Sequence, residues 1–219
     1  IKNASYLCEL TVPRVITHEN DDYLVTSILS FYISYRSYER IPKLKVKFEE
    51  NSAVKTIYGN AFLFTDICEI YFPESLTELK KGWCSFTRNL TNIVIPPSND
   101  RFIFKDDKYL LGKTNPSSDE FDVLFFVRKD LKEVFIPPSV KIIESYSLQM
   151  SNATKVYLPD NLVELKENSF DFVKNLTKII ISPTNDKFIF KDDKYLLGKS
   201  NSNNDEFDIL LFASRNIDE

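Results

Sequence analysis

Apolar residues recur along this chain in a six-residue frame, apolar-x-x-apolar-x-apolar. The frame stands as ICEIYFP at 67–73, LTNIVIP at 90–96, LKEVFIP at 131–137, ATKVYLP at 153–159 and LTKIIIS at 176–182. A looser sixth copy is LKVKFEE at 44–50. Such alternation predicts a strand with one buried face, because successive side chains point to opposite sides. Ile70 and Phe72 then turn inward and Tyr71 turns outward. A second apolar line follows each strand, in AVKTIYGNAF (53–62), SLTELKKGWC (75–84), SVKIIESYSL (139–148) and NLVELKENSF (161–170). One turn of chain cannot bury both lines by itself, but stacked turns can. The frames end at residues 73, 96, 137, 159 and 182, stepping by 23, 41, 22 and 23. The expected fold is a β-rich repeat solenoid of stacked 22–24-residue turns.

The long step of 41 has its own cause. FIFKDDKYLLGK occurs twice, from Phe102 and from Phe188, 86 residues apart, and 41, 22 and 23 sum to that spacing. FIFKDDKYLL and FDVLFFV (121–127) are rich in aromatic and β-branched residues, and GKTNPSSDE between them is turn chemistry. The expectation is a β-hairpin inserted into every third turn, with the dodecamer as its first strand and insertions spanning about 99–130 and 185–216. Residues 1–45 fit the frame poorly and are expected to form an N-terminal cap or atypical first turns, with repeats over 46–219. The most apolar stretch, YLVTSILSFYISY (23–35), is too short to span a membrane, which takes about 20 apolar residues. Its alternation of Leu29, Phe31, Ile33 and Tyr35 predicts a strand. Glu219 stands at the register of Glu133, one residue before a strand, so the array is expected to be truncated at 219 and to leave an open end.

The frame P-x-S-[LV]-x-x-[IL]-x-x-x-x-F followed by N-L-T-x-I-x-I-P resembles the BspA-like, or Treponema-type, leucine-rich repeats. Here it stands as PPSVKIIESYSLQMSNATKVYLP (137–159) and PDNLVELKENSFDFVKNLTKIIIS (159–182). The wording KDDKYLLGK…NDEFDILLFA is similar to members from mucosal protist parasites such as trichomonads. Trp83-Cys84 replaces the usual Ala-Phe, and Ser182 replaces the proline after the strand. The resemblance implies a leucine-rich-repeat solenoid and a non-catalytic protein, cell-surface or secreted. It further implies adhesion to host cells, extracellular matrix or other microbes, through protein or glycan ligands. A structural spacer in a longer array and an intracellular scaffold are the alternatives.

The 219-residue chain carries a net charge of −4, with no basic cluster interleaved with aromatics. Nucleic acid is therefore not expected, since phosphate neutralisation dominates such affinity. The one histidine, His18, lies in the polar stretch THENDD, so Ser-His and Cys-His catalysis would have to pass through a loop residue. No phosphate-binding glycine motif and no zinc spacing occurs, and no cofactor is expected. NSNNDEFD (201–208) has oxygen donors on alternate residues, yet lacks the Gly and terminal Glu of a calcium loop. Cys8, Cys68 and Cys84 form no framework. Cys84 falls on the inward line and Cys68 near the surface, and a Cys8–Cys68 bridge is one arrangement open to them.

Two sets of residues are the functional candidates. Tyr71, Val94, Phe135, Tyr157 and Ile180 stand at the middle of successive strands and point outward, forming an apolar ladder for a partner. Strand propensity alone also selects such residues. A polar column of Glu69, Asn92, Glu133, Lys155 and Lys178 runs beside them. Asn3, Asn89, Asn152 and Asn175 head Asn-x-Ser/Thr sequons, candidates for glycosylation if the chain is secreted by a eukaryote. Hairpin edges and the open C-terminal end are further candidates for self-association.

Overall fold

The computed structural model describes residues 7–30, 43–201 and 205–214, which contain twenty strands and no helix. It comprises two units, Ile1–Gly112 and Lys113–Glu219.

The first unit holds β1 (Leu7–Val12), β2 (Val15–His18), β3 (Asp21–Leu24), β4 (Ser27–Ile28), β5 (Lys43–Phe48) and β6 (Thr56–Ile57). It continues with β7 (Ile67–Tyr71), β8 (Glu78–Leu79), β9 (Asn92–Val94), β10 (Phe102–Lys105) and β11 (Tyr109–Gly112). β1, β5, β7 and β9 form one parallel sheet, with Ile70 opposite Ile93 and Tyr71 opposite Val94. β4, β6 and β8 form a second, with Ile57 opposite Leu79. The two apolar lines of the sequence are the inner faces of these sheets. Val46, Ile70 and Ile57 are fully buried, as is Phe62 on the following bend, each burial contributing about 1.5–3 kcal/mol. The looser copy at 44–50 is a full member of its sheet, and β1, inside the segment expected to be a cap, extends that sheet by one rung.

The second unit holds β12 (Val123–Val127), β13 (Glu133–Phe135), β14 (Ile142–Ile143), β15 (Lys155–Leu158) and β16 (Glu164–Leu165). β17 (Lys178–Ile181), β18 (Phe188–Lys191), β19 (Tyr195–Gly198) and β20 (Ile209–Ala213) complete it. β13, β15 and β17 pair in parallel with Val134, Val156 and Ile179 buried in one line. β12, β14 and β16 pair in parallel on the other line.

Each turn bends on two residues of positive φ, four apart: Asn60 and Phe64, Gly82 and Phe86, Tyr146 and Met150, Asn168 and Phe172. Gly59, beside the first of these, lies so near the next turn that a Cβ there would meet the Lys81 carbonyl oxygen at 2.5 Å. Thr65 and Thr87 close their bends by donating to the carbonyls of Phe62 and Cys84, both at 2.6 Å.

The dodecamer departs from expectation. It is a complete hairpin by itself, β10 against β11 and β18 against β19, turning on Asp106-Asp107 and Asp192-Asp193 with φ of 50–55° at all four. Two consecutive positive φ values make a tight turn, closed by the Lys108 N–H on the Lys105 carbonyl and the Lys194 N–H on the Lys191 carbonyl, both at 3.0 Å, within a three-residue loop. In the second unit ILLFA supplies a third antiparallel strand, β20, paired with β19. Glu19 and Asn20 make a like turn between β2 and β3, which puts His18 at a strand end, exposed. The stretch 23–35 is broken. β3 ends at Leu24, β4 is two residues long, Leu29 is exposed, and Phe31, Ile33 and Tyr35 lie outside the described residues.

Candidate functional site

Parallel registry sets the outward residues of each sheet side by side, since adjacent strands lie about 4.8 Å apart. The five expected ladder residues fall in two sheets, Tyr71 and Val94 in the first unit and Phe135, Tyr157 and Ile180 in the second. The two faces differ chemically.

On the first, Tyr71 is half-buried and engaged by its own sheet. Its hydroxyl donates to Glu69 Oε1 at 2.6 Å, and Lys45 Nζ lies 4.6 Å and Lys47 Nζ 5.6 Å from its ring centroid. Lys45 also pairs with Glu69 at 3.5 Å, Lys47 with Glu9 at 2.9 Å, and Asn92 donates to Glu69 at 2.9 Å. The Tyr71 hydrogen bond, then the Lys45 charge, hold the Glu69 carboxyl below its usual range. Contact with Tyr71 and the Glu69 charge hold the Lys45 ammonium above its own. Val94, alongside, is half-buried.

On the second face, Phe135 and Tyr157 stack with ring centroids 4.1 Å apart and planes 12° from parallel, while Phe135 stays 54% exposed. Ile180 continues the row, half-buried. The polar column beside it carries one ion pair, Lys155 to Glu133 at 2.9 Å, which raises the Lys155 pKa. Lys178 is exposed at the end of that column.

Of the sequons, Asn89, Asn152 and Asn175 are exposed, each just ahead of a strand, and Asn89 donates to Asp66. Asn3 lies outside the described residues. All three cysteines are free thiols. Cys8 is exposed, Cys84 is buried as its register predicts, and Cys68 is half-buried, with burial pushing its pKa up. The 201–208 stretch falls partly outside the described residues. Among those described, no three His, Cys, Asp or Glu side chains converge as metal ligands.

One feature gives no signal in the sequence. An open cavity of about 580 Å³ lies in the first unit where the chain leaves β5 and β7, lined by residues 47–52, 71–75 and Pro96. Its residues belong to three separate turns, so no local motif announces it.

The repeat is matched outside this chain. A model of the BspA type leucine rich repeat region matches six copies over residues 29–109 and 122–196. No curated protein matches the sequence. Two solved structures share the architecture. A leucine-rich cell surface protein from Faecalibacterium prausnitzii is 21% identical with a TM-score of 0.60, over 80% of this chain and 41% of that one. A leucine-rich repeat protein from Eubacterium ventriosum is 17% identical with a TM-score of 0.50, over 64% of this chain and 42% of its own. The chain thus spans less than half the length of either. With six matched copies covering most of its length, the chain belongs to the BspA-type leucine-rich repeat family.

Proposed function

We propose that this chain is a non-catalytic recognition segment of a surface-displayed or secreted protein, binding protein or glycan ligands on host cells or matrix. The outward face of β13, β15 and β17 is its contact surface. The observation that carries this reading is the stacked Phe135–Tyr157 pair, which keeps an aromatic side chain 54% exposed on a regular sheet. Stacking rigidifies both rings in advance, and rigid aromatics anchor interfaces at low entropic cost. The solved relative described as a cell surface protein supports the location.

The test is binding of the purified chain to host epithelial cells and to immobilised matrix proteins, beside a Phe135→Ser/Tyr157→Ser variant of unchanged circular dichroism. The expected outcome is saturable binding by the native chain and at least a tenfold loss in the variant, since hot-spot truncations cost about 2 kcal/mol or more. Undiminished binding by the variant would sink the reading. A spacer role is favoured by the first unit, where Tyr71 is already engaged by its own sheet. Absence of binding by the native chain is the result that supports it.

A further inference from the structure

The cavity beside β5 and β7 has a structural cause. Strand pairing in the first sheet ends at Tyr71 opposite Val94, followed by one further bond from the Phe72 N–H to the Val94 carbonyl at 2.9 Å. Pro73 and Pro96 come next, and proline has no N–H with which to continue a ladder. The loops therefore turn separately. One folds back through a bond from the Ser52 N–H to the Glu49 carbonyl with Asn51 at φ 54°, the other from Leu76 N–H to the Pro73 carbonyl. The space between them is floored by Phe48, Tyr71, Phe72 and the two prolines.

Its charges are unequally engaged. Lys47, the one cation among the described lining residues, pairs with Glu9 at 2.9 Å, and the Glu49 carboxylate accepts the Arg14 backbone N–H at 2.6 Å. Glu50 and Glu74 are exposed, and among the described residues neither carboxylate has an ion-pair or hydrogen-bond partner. The lining thus pairs flat apolar surfaces with two unengaged negative charges. A metal ion is a poor fit, because no three acidic side chains converge anywhere among the described residues.

We propose that this cavity receives an arginine side chain from an extended segment of a partner polypeptide. The planar guanidinium packs flat on the half-buried Phe48 and Pro96 and presents paired N–H donors to carboxylates, which a lysine ammonium does less well. A volume near 580 Å³ has room for such a side chain and its flanking backbone. The site is independent of the Phe135–Tyr157 face, which lies in the other unit.

The experiment is an NMR titration of the ¹⁵N-labelled chain with the capped tripeptide Ala-Arg-Ala and with its citrulline analogue, equal in shape but uncharged. Saturable shifts are expected at the amides of Asn51, Ser52, Glu74 and Ser75. The arginine peptide should bind about tenfold tighter than citrulline, the size of one charge-assisted hydrogen bond. Glu50→Gln/Glu74→Gln should remove that preference, whereas Phe135→Ser/Tyr157→Ser should preserve it. Equal affinity for the two peptides, shifts confined to other amides, or no shift at peptide concentrations of about 10 mM would each overturn the proposal. Among the described residues neither glutamate side chain has a hydrogen-bond or ion-pair partner, and unchanged amide spectra of the free variant confirm its fold.

Discussion

The same twelve residues fold twice in this molecule, and they fold alike but are buried differently. Both copies pair Phe with Gly and Lys with Tyr in one register, and both turn on two aspartates in the left-handed region. Both are pinned by the same asparagine. Asn99 donates to the Leu76 carbonyl and accepts the Arg101 N–H, each at 2.9 Å. Asn185 does so with Leu162 and Lys187 at the same distances. Asp122 and Asp208 each accept a loop N–H at 2.8 Å. Burial follows another rule. Tyr109 is 5% exposed and its twin Tyr195 39%, and Leu124 is fully buried while its twin Leu210 is 58% exposed. Within the second unit the cause is visible. β12 is covered by β14, with Leu124 opposite Ile143, whereas among the described residues no strand lies on the outer side of β20. Hairpin geometry belongs to the local sequence, and burial belongs to the neighbour.

Substitutions at paired positions can break or sharpen that contrast. Leu124→Ala should destabilise its unit by about 2–5 kcal/mol, as for a buried leucine, and Leu210→Ala by less than about 1 kcal/mol, as for an exposed one. Urea unfolding monitored by circular dichroism compares them, and equal losses would mean that β20 is covered in solution. Asn99→Ala and Asn185→Ala should each cost about 1–3 kcal/mol, because each strands a buried loop carbonyl. Their costs should match, since the anchors match, and unequal melting shifts would show that the surroundings matter there too.

The smallest effect concerns Asp208. The Ser200 hydroxyl, then the Ser200 N–H, hold its carboxyl below the usual 3.8. A carboxyl depressed in the folded state adds stability above its unfolded pKa and loses it as pH falls through the folded value. Asp208→Asn should therefore lower the unfolding midpoint slightly near neutral pH, and the gap should close below 3.8. A gap that persists into acid would assign the effect to shape instead of charge.

Much of the candidate site was legible and some was not. The outward positions of Tyr71, Val94, Phe135, Tyr157 and Ile180 followed from strand alternation, because side-chain direction has a period of two whatever the surroundings. The difference between Tyr71 and Phe135 did not follow. Tyr71 carries Lys45 and Lys47 over its ring, from the preceding strand more than twenty residues earlier, while Phe135 stacks on Tyr157, whose hydroxyl donates to Glu133 at 3.4 Å. The aspartate turn of the dodecamer is hidden for a different reason. Lys-Asp-Asp-Lys lacks the glycine of the usual tight-turn signal, whereas the Asn-, Ser- and Asp-rich stretch after it carries stronger turn chemistry.

Repeat length and the two inward lines are properties of the sequence by itself, since each follows from apolar positions that recur every 22 or 23 residues. Tertiary structure decided what no single turn contains. Phe64, Phe86, Met150 and Phe172 adopt a left-handed backbone that bulky residues avoid in isolation, held there by bends that stack on neighbouring turns. It also decided which twin leucine is dry, which tyrosine is engaged, and where prolines open a cavity between loops. Burial and cavity shape are pair properties of distant segments, so identical residues acquire different roles from their different neighbours.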